Sequence, residues 1–113
     1  MKKDPKILIE HVLECIERIE EYVEGTTKDK FFSSGQLQDA VIRRIEIIGE
    51  AVKNISEKVK TKYPKIEWKK IAGTRDTIIH AYFSVDLDIV WNIIKKDLPK
   101  LKRQMEKIKE EIE

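Results

Sequence analysis

Apolar side chains recur at intervals of three and four residues along almost the whole chain, and no segment alternates cleanly between apolar and polar positions. Such intervals place side chains on one face of an α-helix. Only four glycines and three prolines occur in 113 residues, so few positions interrupt a helix. The pattern predicts an all-α protein, an up-and-down bundle in which short connections make neighbouring helices antiparallel.

Capping residues mark where the first helices begin and end. Asp4 is a favourable N-cap for the first helix, Pro5 fits its first turn, and Gly25 stops it. A second long helix is expected from residue 33 or 34 to about residue 55. The connection between the two is expected to hold one short turn capped by Thr27.

The remaining segments are predicted in the same way. The connection after the first helix places two phenylalanines, Phe31 and Phe32, in the core. A short lysine-rich helix follows from Ser56 and ends at Pro64, and a third long helix covers about residues 67–82 with a break at Gly73. A fourth helix starts after residue 86, and the proline at position 99 kinks it or restarts it as a final segment.

Length and cysteine content limit the class of protein. A chain of 113 residues is expected to form one domain over residues 1–113. Cys15 is the only cysteine, so the chain has no internal disulfide and no multi-cysteine zinc site, which fits a reducing cytoplasm. Charges interrupt the apolar positions of the first 21 residues, so this segment resembles neither a signal peptide nor a membrane span. A cytoplasmic protein without membrane attachment or cofactor is expected.

Charge is plentiful but nearly balanced. The chain has 23 basic and 21 acidic residues, and a net charge of +2 is too small to predict nucleic-acid binding. The distribution is uneven, with six glutamates and one arginine in residues 10–24 and six lysines and two glutamates in residues 57–70. Either both runs are solvated helix faces, or the lysine-rich run lies beside a binding site for a polyanion.

The candidate site is the segment "RDTIIHAYF" at residues 75–83. On a helix, Arg75 and Tyr82 are seven residues apart and return to nearly the same face, while Asp76 and His80 share a second face. A long guanidinium can reach across the roughly 140° between Arg75 and His80. These side chains can therefore converge on a phosphate, or they can be ordinary residues of an amphipathic helix. His11 has no such neighbours and is expected to be an ordinary surface histidine or a satisfied core histidine.

The spacing Arg-x4-His-x-Tyr in "RDTIIHAY" resembles the signature of the HepT-like family, small HEPN-domain toxins found beside minimal nucleotidyltransferases. "AVIRRIEIIGEAVKNIS" is similar to the second helix of that family, "IEWKKIAGTRDTIIHAYFSVDLDIVW" to its third helix and following turn, and "DLPKLK" to its last helix. The resemblance covers nearly the whole chain. The surrounding residues that make the motif specific are Trp68, Gly73, Phe83, Val85, Asp86 and Trp91.

The resemblance implies a helical homodimer with the two motifs in a cleft at its interface, and a metal-independent endoribonuclease that cleaves RNA. It also implies a toxin–antitoxin pair of type II or VII. Its antitoxin would be a cognate minimal nucleotidyltransferase that adds AMP to Tyr82. A phenol is a competent acceptor for this transfer. The alternative is that Tyr82 only stacks on a base or packs at the rim of the cleft.

The residues fit the implied chemistry. RNA cleavage through the 2′-hydroxyl requires a base, an acid and a cation for the charge that develops on the phosphate. A histidine with an ordinary pKa of about 6.5 transfers protons near neutrality, which assigns this role to His80. Arg75 would bind phosphate oxygens, and Asp76 would orient the imidazole or set its protonation. Glu50, in the second helix, either lines the cleft or forms only a salt bridge.

Two functions from different classes follow. The first is a toxin endoribonuclease with Arg75 and His80 as catalytic residues. The second is a non-catalytic subunit that docks a nucleotidyltransferase and presents substrate or Tyr82 to it. RNA cleavage by the isolated protein, lost on His80→Ala, distinguishes the two.

Overall fold

A computed structural model describes residues 4–74, 76 and 86–112. These residues form helices and contain no strand, which confirms the all-α prediction. Thr74 and Asp76 also have helical backbone. The helices are α1 (Pro5–Val23), α2 (Lys28–Phe32), α3 (Gly35–Lys53), α4 (Glu57–Lys62), α5 (Trp68–Ala72), α6 (Leu87–Asn92) and α7 (Leu98–Ile112), with a π-helical turn (Ile93–Asp97) between α6 and α7.

Helix α1 lies antiparallel to α7. The Lys102 Nζ atom is 2.8 Å from a carboxylate oxygen of Glu20, near the end of α1. Lys109 lies seven residues later in α7, and its Nζ atom is 3.9 Å from a carboxylate oxygen of Glu10, near the start of α1. The two contacts run in opposite directions along the two helices, as the up-and-down prediction requires.

Helix α1 also packs along α3 in the opposite direction. Cys15 contacts Arg44 near the middle of both helices. Leu8, one heptad earlier in α1, lines a cleft with Asn54, which lies just beyond the end of α3. The core lies between these helices and α7, and its most deeply buried side chains are Ile9, Val12, Cys15, Ile16, Ile19, Phe31, Val41, Val52, Met105 and Ile108.

Local capping agrees with the sequence at both ends of α1. The Asp4 carboxylate accepts a hydrogen bond of 2.9 Å from the Lys6 amide, and Pro5 occupies the first turn. Gly25 has a φ angle of 71°, in the left-handed region that favours glycine. These residues fix the start of α1 and the reversal of the chain after it.

Helix α3 starts where the sequence predicts and ends two residues early. The Leu37 amide donates a hydrogen bond of 3.2 Å to the Ser34 hydroxyl, which makes Ser34 the N-cap. At the other end, the Asn54 side chain donates to the Glu50 carbonyl at 2.8 Å and helps close the helix. Ile55 therefore lies outside the helix, but its side chain is still buried in the core.

The prediction that both phenylalanines of α2 enter the core is wrong for Phe32. Phe31 is fully buried and packs on Trp91, with the ring centroids 5.4 Å apart. Phe32 is 36% exposed and lies beneath Lys28, whose Nζ atom is 5.5 Å from the ring centroid. Consecutive helical residues point about 100° apart, and α2 is positioned so that Phe31 faces the core and Phe32 faces outward.

The lysine-rich helix and the proline in the last helix also follow the prediction. Ser56 accepts a hydrogen bond from the Val59 amide and caps α4, which ends before Pro64. Pro99 lies just inside α7, immediately after the π-helical turn. Proline has no N–H and crowds the carbonyl four residues earlier, so a regular α-helix is interrupted near it. A single π turn lets the chain continue in helical form.

Both charge runs lie on the surface. All six glutamates of residues 10–24 are exposed, and so are five of the six lysines of residues 57–70. These side chains are solvated, as the first interpretation requires, and exposed lysines are equally compatible with a binding site for a polyanion. Within the described residues, no helix is both long and apolar enough to span a bilayer.

The buried thiol gives a first prediction. Cys15 is fully buried, and burial raises its pKa, an effect that hydrogen bonding and the charge of Arg44 partly oppose. We expect a thiol reagent at pH 8 to modify native Cys15 at least about a hundredfold more slowly than the denatured chain, since each 1.4 kcal/mol of opening free energy slows the reaction tenfold. Equal rates in buffer and in denaturant would contradict the burial of this side chain.

Candidate active site

The segment that leads into the motif is fixed by α5. Trp68 is buried, and its indole N–H donates a hydrogen bond of 3.0 Å to the Tyr63 carbonyl. The predicted break is confirmed, because α5 ends at Ala72 with Gly73 as its C-cap. A Cβ atom at Gly73 would lie 3.1 Å from the Lys69 carbonyl oxygen, a tight contact that glycine avoids. The chain thus reaches the motif from a helix that is anchored in the core.

The chain that follows the motif is anchored as well. The Asp86 carboxylate accepts a hydrogen bond of 3.0 Å from the Asp88 amide and caps α6, as predicted. The Asp88 carboxylate is 2.7 Å from Lys28 Nζ, which ties α6 to α2. Trp91 packs on Phe31, so α6 is held by both polar and aromatic contacts.

A groove borders the motif between α5 and the π-helical turn. Four residues line both of its parts: Lys70, Thr74, Ile93 and Asp97. Thr74 immediately precedes Arg75, and its hydroxyl donates a hydrogen bond of 3.0 Å to the Lys70 carbonyl. We call this the motif-side groove. The four shared residues combine an apolar side chain with one cation and one carboxylate, a lining suited to a polar ligand with an apolar portion.

Three of the predicted site residues, Arg75, His80 and Tyr82, lie outside the described residues. Their convergence therefore stays a prediction. Asp76 is described, has helical backbone and is exposed, so its carboxylate is open to a ligand or to a neighbouring side chain. Its helical conformation agrees with the prediction that the third helix continues into the motif.

Glu50 occupies a different place from the motif-side groove. It is exposed on α3 and lines a cleft between α1 and α3. His11, Arg43 and Glu46 lie in the same cleft, so the histidine that had no neighbours in the sequence has charged neighbours in the fold. Asp76 does not line this cleft. Whether Glu50 meets the motif stays a prediction.

In this all-helical chain, two helices that are anchored in the core, α5 and α6, flank residues 75–85. Comparison with known proteins identifies the class of protein to which such a chain belongs. The family described as "Ribonuclease HepT-like" matches residues 12–108, a span that includes the whole motif. The chain belongs to this HepT-like ribonuclease family. No solved structure matches the chain significantly.

Named relatives agree with this family. "Probable ribonuclease HepT" of Thermococcus cleftensis is 43% identical over 109 residues, which are 96% of this chain and 99% of that protein. "Putative RNase" of Caldanaerobacter subterraneus subsp. tengcongensis is 42% identical over 106 residues, 94% of this chain and 95% of that protein.

A longer relative contains the same domain. "Gamma-glutamylcyclotransferase and putative RNase" of Methanocaldococcus jannaschii is 55% identical over 113 residues, which are 100% of this chain and 51% of that protein. The chain therefore spans about half the length of this relative. The similarity covers all of this chain, so the two share the helical domain.

The sequence did not predict which residues line the groove beside the motif. Lys70, Thr74 and Asp97 line the motif-side groove, although Asp97 is more than twenty residues from the other two in the chain. The lysine-rich run was the only local signal for this region. The contribution of the π-helical turn depends on tertiary packing and has no signature in the motif itself.

Proposed function

We propose that this chain is an endoribonuclease that cleaves RNA with Arg75 and His80 and needs no metal ion. The observation that carries the proposal is the match to the HepT-like ribonuclease family over residues 12–108, which contains both residues at the spacing of the motif. The relatives named as ribonucleases, which are similar over at least 94% of this chain, support it further.

The proposed reaction is transesterification within the RNA. A base removes the proton of a 2′-hydroxyl, the oxygen attacks the adjacent phosphorus, and the bond to the 5′-oxygen of the next nucleotide breaks. An acid protonates that 5′-oxygen, so the products are a 2′,3′-cyclic phosphate and a 5′-hydroxyl. His80 supplies proton transfer, Arg75 stabilises the charge on the phosphate oxygens, and Asp76 positions the imidazole.

One histidine cannot easily be base and acid in the same step, whereas two histidines of a dimer can divide these roles. We therefore propose a homodimer in which the two copies of Arg75 and His80 share one cleft. Light scattering at micromolar concentration is expected to give twice the 13.3 kDa mass of the chain. A clean monomer mass would contradict the shared cleft.

The activity is tested with the purified chain and a structured RNA in excess EDTA. We expect internal cleavage that persists in the chelator. Activity that disappears in EDTA and returns with magnesium would mean that the chemistry is metal-dependent and that the proposed roles are wrong. No cleavage in either condition would favour the non-catalytic docking subunit.

We further propose that the chain is a toxin that a cognate minimal nucleotidyltransferase inhibits by modifying Tyr82. The phenolic oxygen would attack the α-phosphorus of ATP, with pyrophosphate as the leaving group, and an AMP ester would remain on the ring. On a helix, Tyr82 and Arg75 lie on nearly the same face, so the adenylate phosphate would compete with RNA for the guanidinium.

This regulation predicts a mass change. With ATP and the nucleotidyltransferase, the chain is expected to gain one or more AMP units. The affinity for RNA should fall more at low salt than at high salt, because high salt screens the negative charge that each AMP unit adds. Tyr82→Phe is expected to escape both effects. Full inhibition of Tyr82→Phe by the partner without ATP would show that control is by masking.

A further inference from the structure

We propose that RNA runs from the cleavage site into a second groove, where lysines of three elements bind its sugar–phosphate backbone. This basic groove is lined by Lys53 at the end of α3, Lys60 of α4, and Lys69 and Lys70 of α5. The proposal rests on the proposed ribonuclease function and extends it by naming where the substrate is held outside the motif.

The cations of the basic groove are only partly neutralised. Lys53 and Lys69 are exposed, and neither forms an ion pair with a described residue. Lys60 and Lys70 each lie 3.9 Å from one glutamate, Glu57 or Glu67. The Lys70–Glu67 pair is exposed on both sides and is therefore weak, while Lys60 is partly buried beside an exposed glutamate. Lys70 can therefore exchange its glutamate for a phosphate.

The two glutamates of the basic groove do not cancel the charge of its four lysines. Glu57 and Glu67 are the two acidic residues that line it, against four lysines. Glu67 also lies 3.9 Å from Lys100 of α7, which places another cation beside that carboxylate. A net positive concave surface attracts a polyanion, and counterion release adds to the binding free energy.

The basic groove lies next to the motif. Lys70 lines both this groove and the motif-side groove, so the two surfaces meet at this residue. Ala72, also in its lining, precedes Arg75 by three residues, and three residues of chain can span at most about 11 Å. That distance is comparable to two phosphate spacings of an extended strand, so one strand can contact both places.

The shape of the groove suits a backbone ligand without base recognition. Its volume is about 520 Å³, within the range of sites that enclose part of a small ligand. Its floor is apolar and consists of Ile66, Trp68 and Ala72, with the indole N–H of Trp68 already bonded to Tyr63. The lysines are therefore the cationic donors available to an anion, and they bind phosphates with little dependence on sequence.

Charge elsewhere in the fold is of the other sign. Five exposed glutamates lie on α1 and a sixth, Glu24, caps its end, and although Glu10 and Glu20 pair with lysines of α7, this surface is less suited to RNA. The lysine-rich run and the basic groove lie instead on α4 and α5. A nearly neutral chain can thus hold RNA where its lysines cluster, which its net charge does not reveal.

The test is binding of a 2′-O-methylated RNA oligonucleotide, which resists cleavage through the 2′-hydroxyl, measured by fluorescence anisotropy over a series of KCl concentrations. In Lys53→Gln/Lys69→Gln, we expect about tenfold weaker binding at 0.1 M salt and a logarithmic salt slope smaller by about 1.4, because each lost phosphate contact to a single strand lowers the slope by about 0.7. Lys53→Arg/Lys69→Arg keeps the charges and should bind like the original chain.

A single-site pair controls for net charge. Lys69→Gln is compared with Lys30→Gln, which removes the same charge from α2. The Gln38 side chain joins α2 to the first turn of α3, and Lys53 lies 15 residues further along, about 22 Å away at the end of that helix. Lys69→Gln should weaken binding several-fold and Lys30→Gln less than twofold. Equal effects of the two variants would overturn the proposal.

Two further outcomes separate this proposal from the proposed function. A dinucleotide substrate that occupies only the cleavage site should be cleaved equally by Lys53→Gln/Lys69→Gln and the original chain, while KM for long RNA rises. If no RNA is cleaved but binding depends on the lysines, the groove stands and the ribonuclease function fails. If the variant loses only binding to an acidic protein partner and keeps its RNA affinity, the groove is a protein site and the proposal is wrong.

Discussion

Replacing His80 by alanine is expected to reduce RNA cleavage at least about a hundredfold, since positioned general acid–base catalysis contributes about 10²–10⁴ in rate. Arg75→Ala should cost a similar factor, because a preorganised donor at the developing charge contributes about 10²–10³. Both rates are measured with a defined RNA under single-turnover conditions. Both variants should keep the helical circular-dichroism spectrum, because the loss is chemical.

The chain offers a matched control for each substitution. His11 is the other histidine and is exposed on α1, and Arg103 is exposed on α7. His11→Ala and Arg103→Ala should cleave RNA within about twofold of the original chain, in keeping with the small effect of surface changes. A loss at His11 as large as that at His80 would move the acid–base function to the cleft of α1 and α3.

Phe31→Ala is expected to be the most damaging single change to the fold. Its ring is fully buried and contacts Trp91, and removing a buried phenylalanine lowers the free energy of unfolding by about 3–5 kcal/mol. The adjacent Phe32 is partly exposed, so Phe32→Ala should cost less than about 1 kcal/mol. Denaturant unfolding followed by circular dichroism measures both values.

The two phenylalanines therefore form an internal comparison with the same chemistry and different burial. Both variants should unfold with a similar dependence on denaturant concentration, since the surface exposed on unfolding is nearly the same. Equal losses of stability for Phe31→Ala and Phe32→Ala would mean that α2 is rotated relative to the position described.

Local features of the fold could be predicted because they depend on residues close in sequence. The N-caps Asp4, Thr27, Ser34, Ser56 and Asp86 each accept a hydrogen bond from an amide two or three residues later. The three-to-four-residue spacing likewise identifies most of the core, because a regular helix fixes which side chains share a face.

Features that depend on tertiary packing could not be predicted in the same way. Phe31 and Phe32 are equally apolar, and only the position of α2 on α3 and α6 decides which one is buried. The proline at position 99 indicates an interruption but does not specify a π-helical turn. The end of α3 at Lys53 includes a side-chain hydrogen bond from Asn54 to the Glu50 carbonyl, which helical spacing does not predict.

The candidate site likewise has features that the local sequence predicts and features that depend on tertiary packing. The sequence predicts the residues of the motif and their helical faces, whereas their convergence would depend on packing and, in the proposed dimer, on a second chain. The basic groove shows the limit clearly, because the lysine-rich run contains Lys60, Lys69 and Lys70 but not Lys53. Only the fold brings the end of α3 beside α5.

The end groups of the RNA products test the central claim most directly. The purified chain is incubated in EDTA with an RNA and with the same RNA carrying 2′-O-methyl groups, and the products are analysed by mass spectrometry. The proposed reaction predicts fragments that end in a 2′,3′-cyclic phosphate from the first RNA and no cleavage of the second. Equal cleavage of both RNAs, or fragments with a 5′-phosphate and a 3′-hydroxyl, would contradict it.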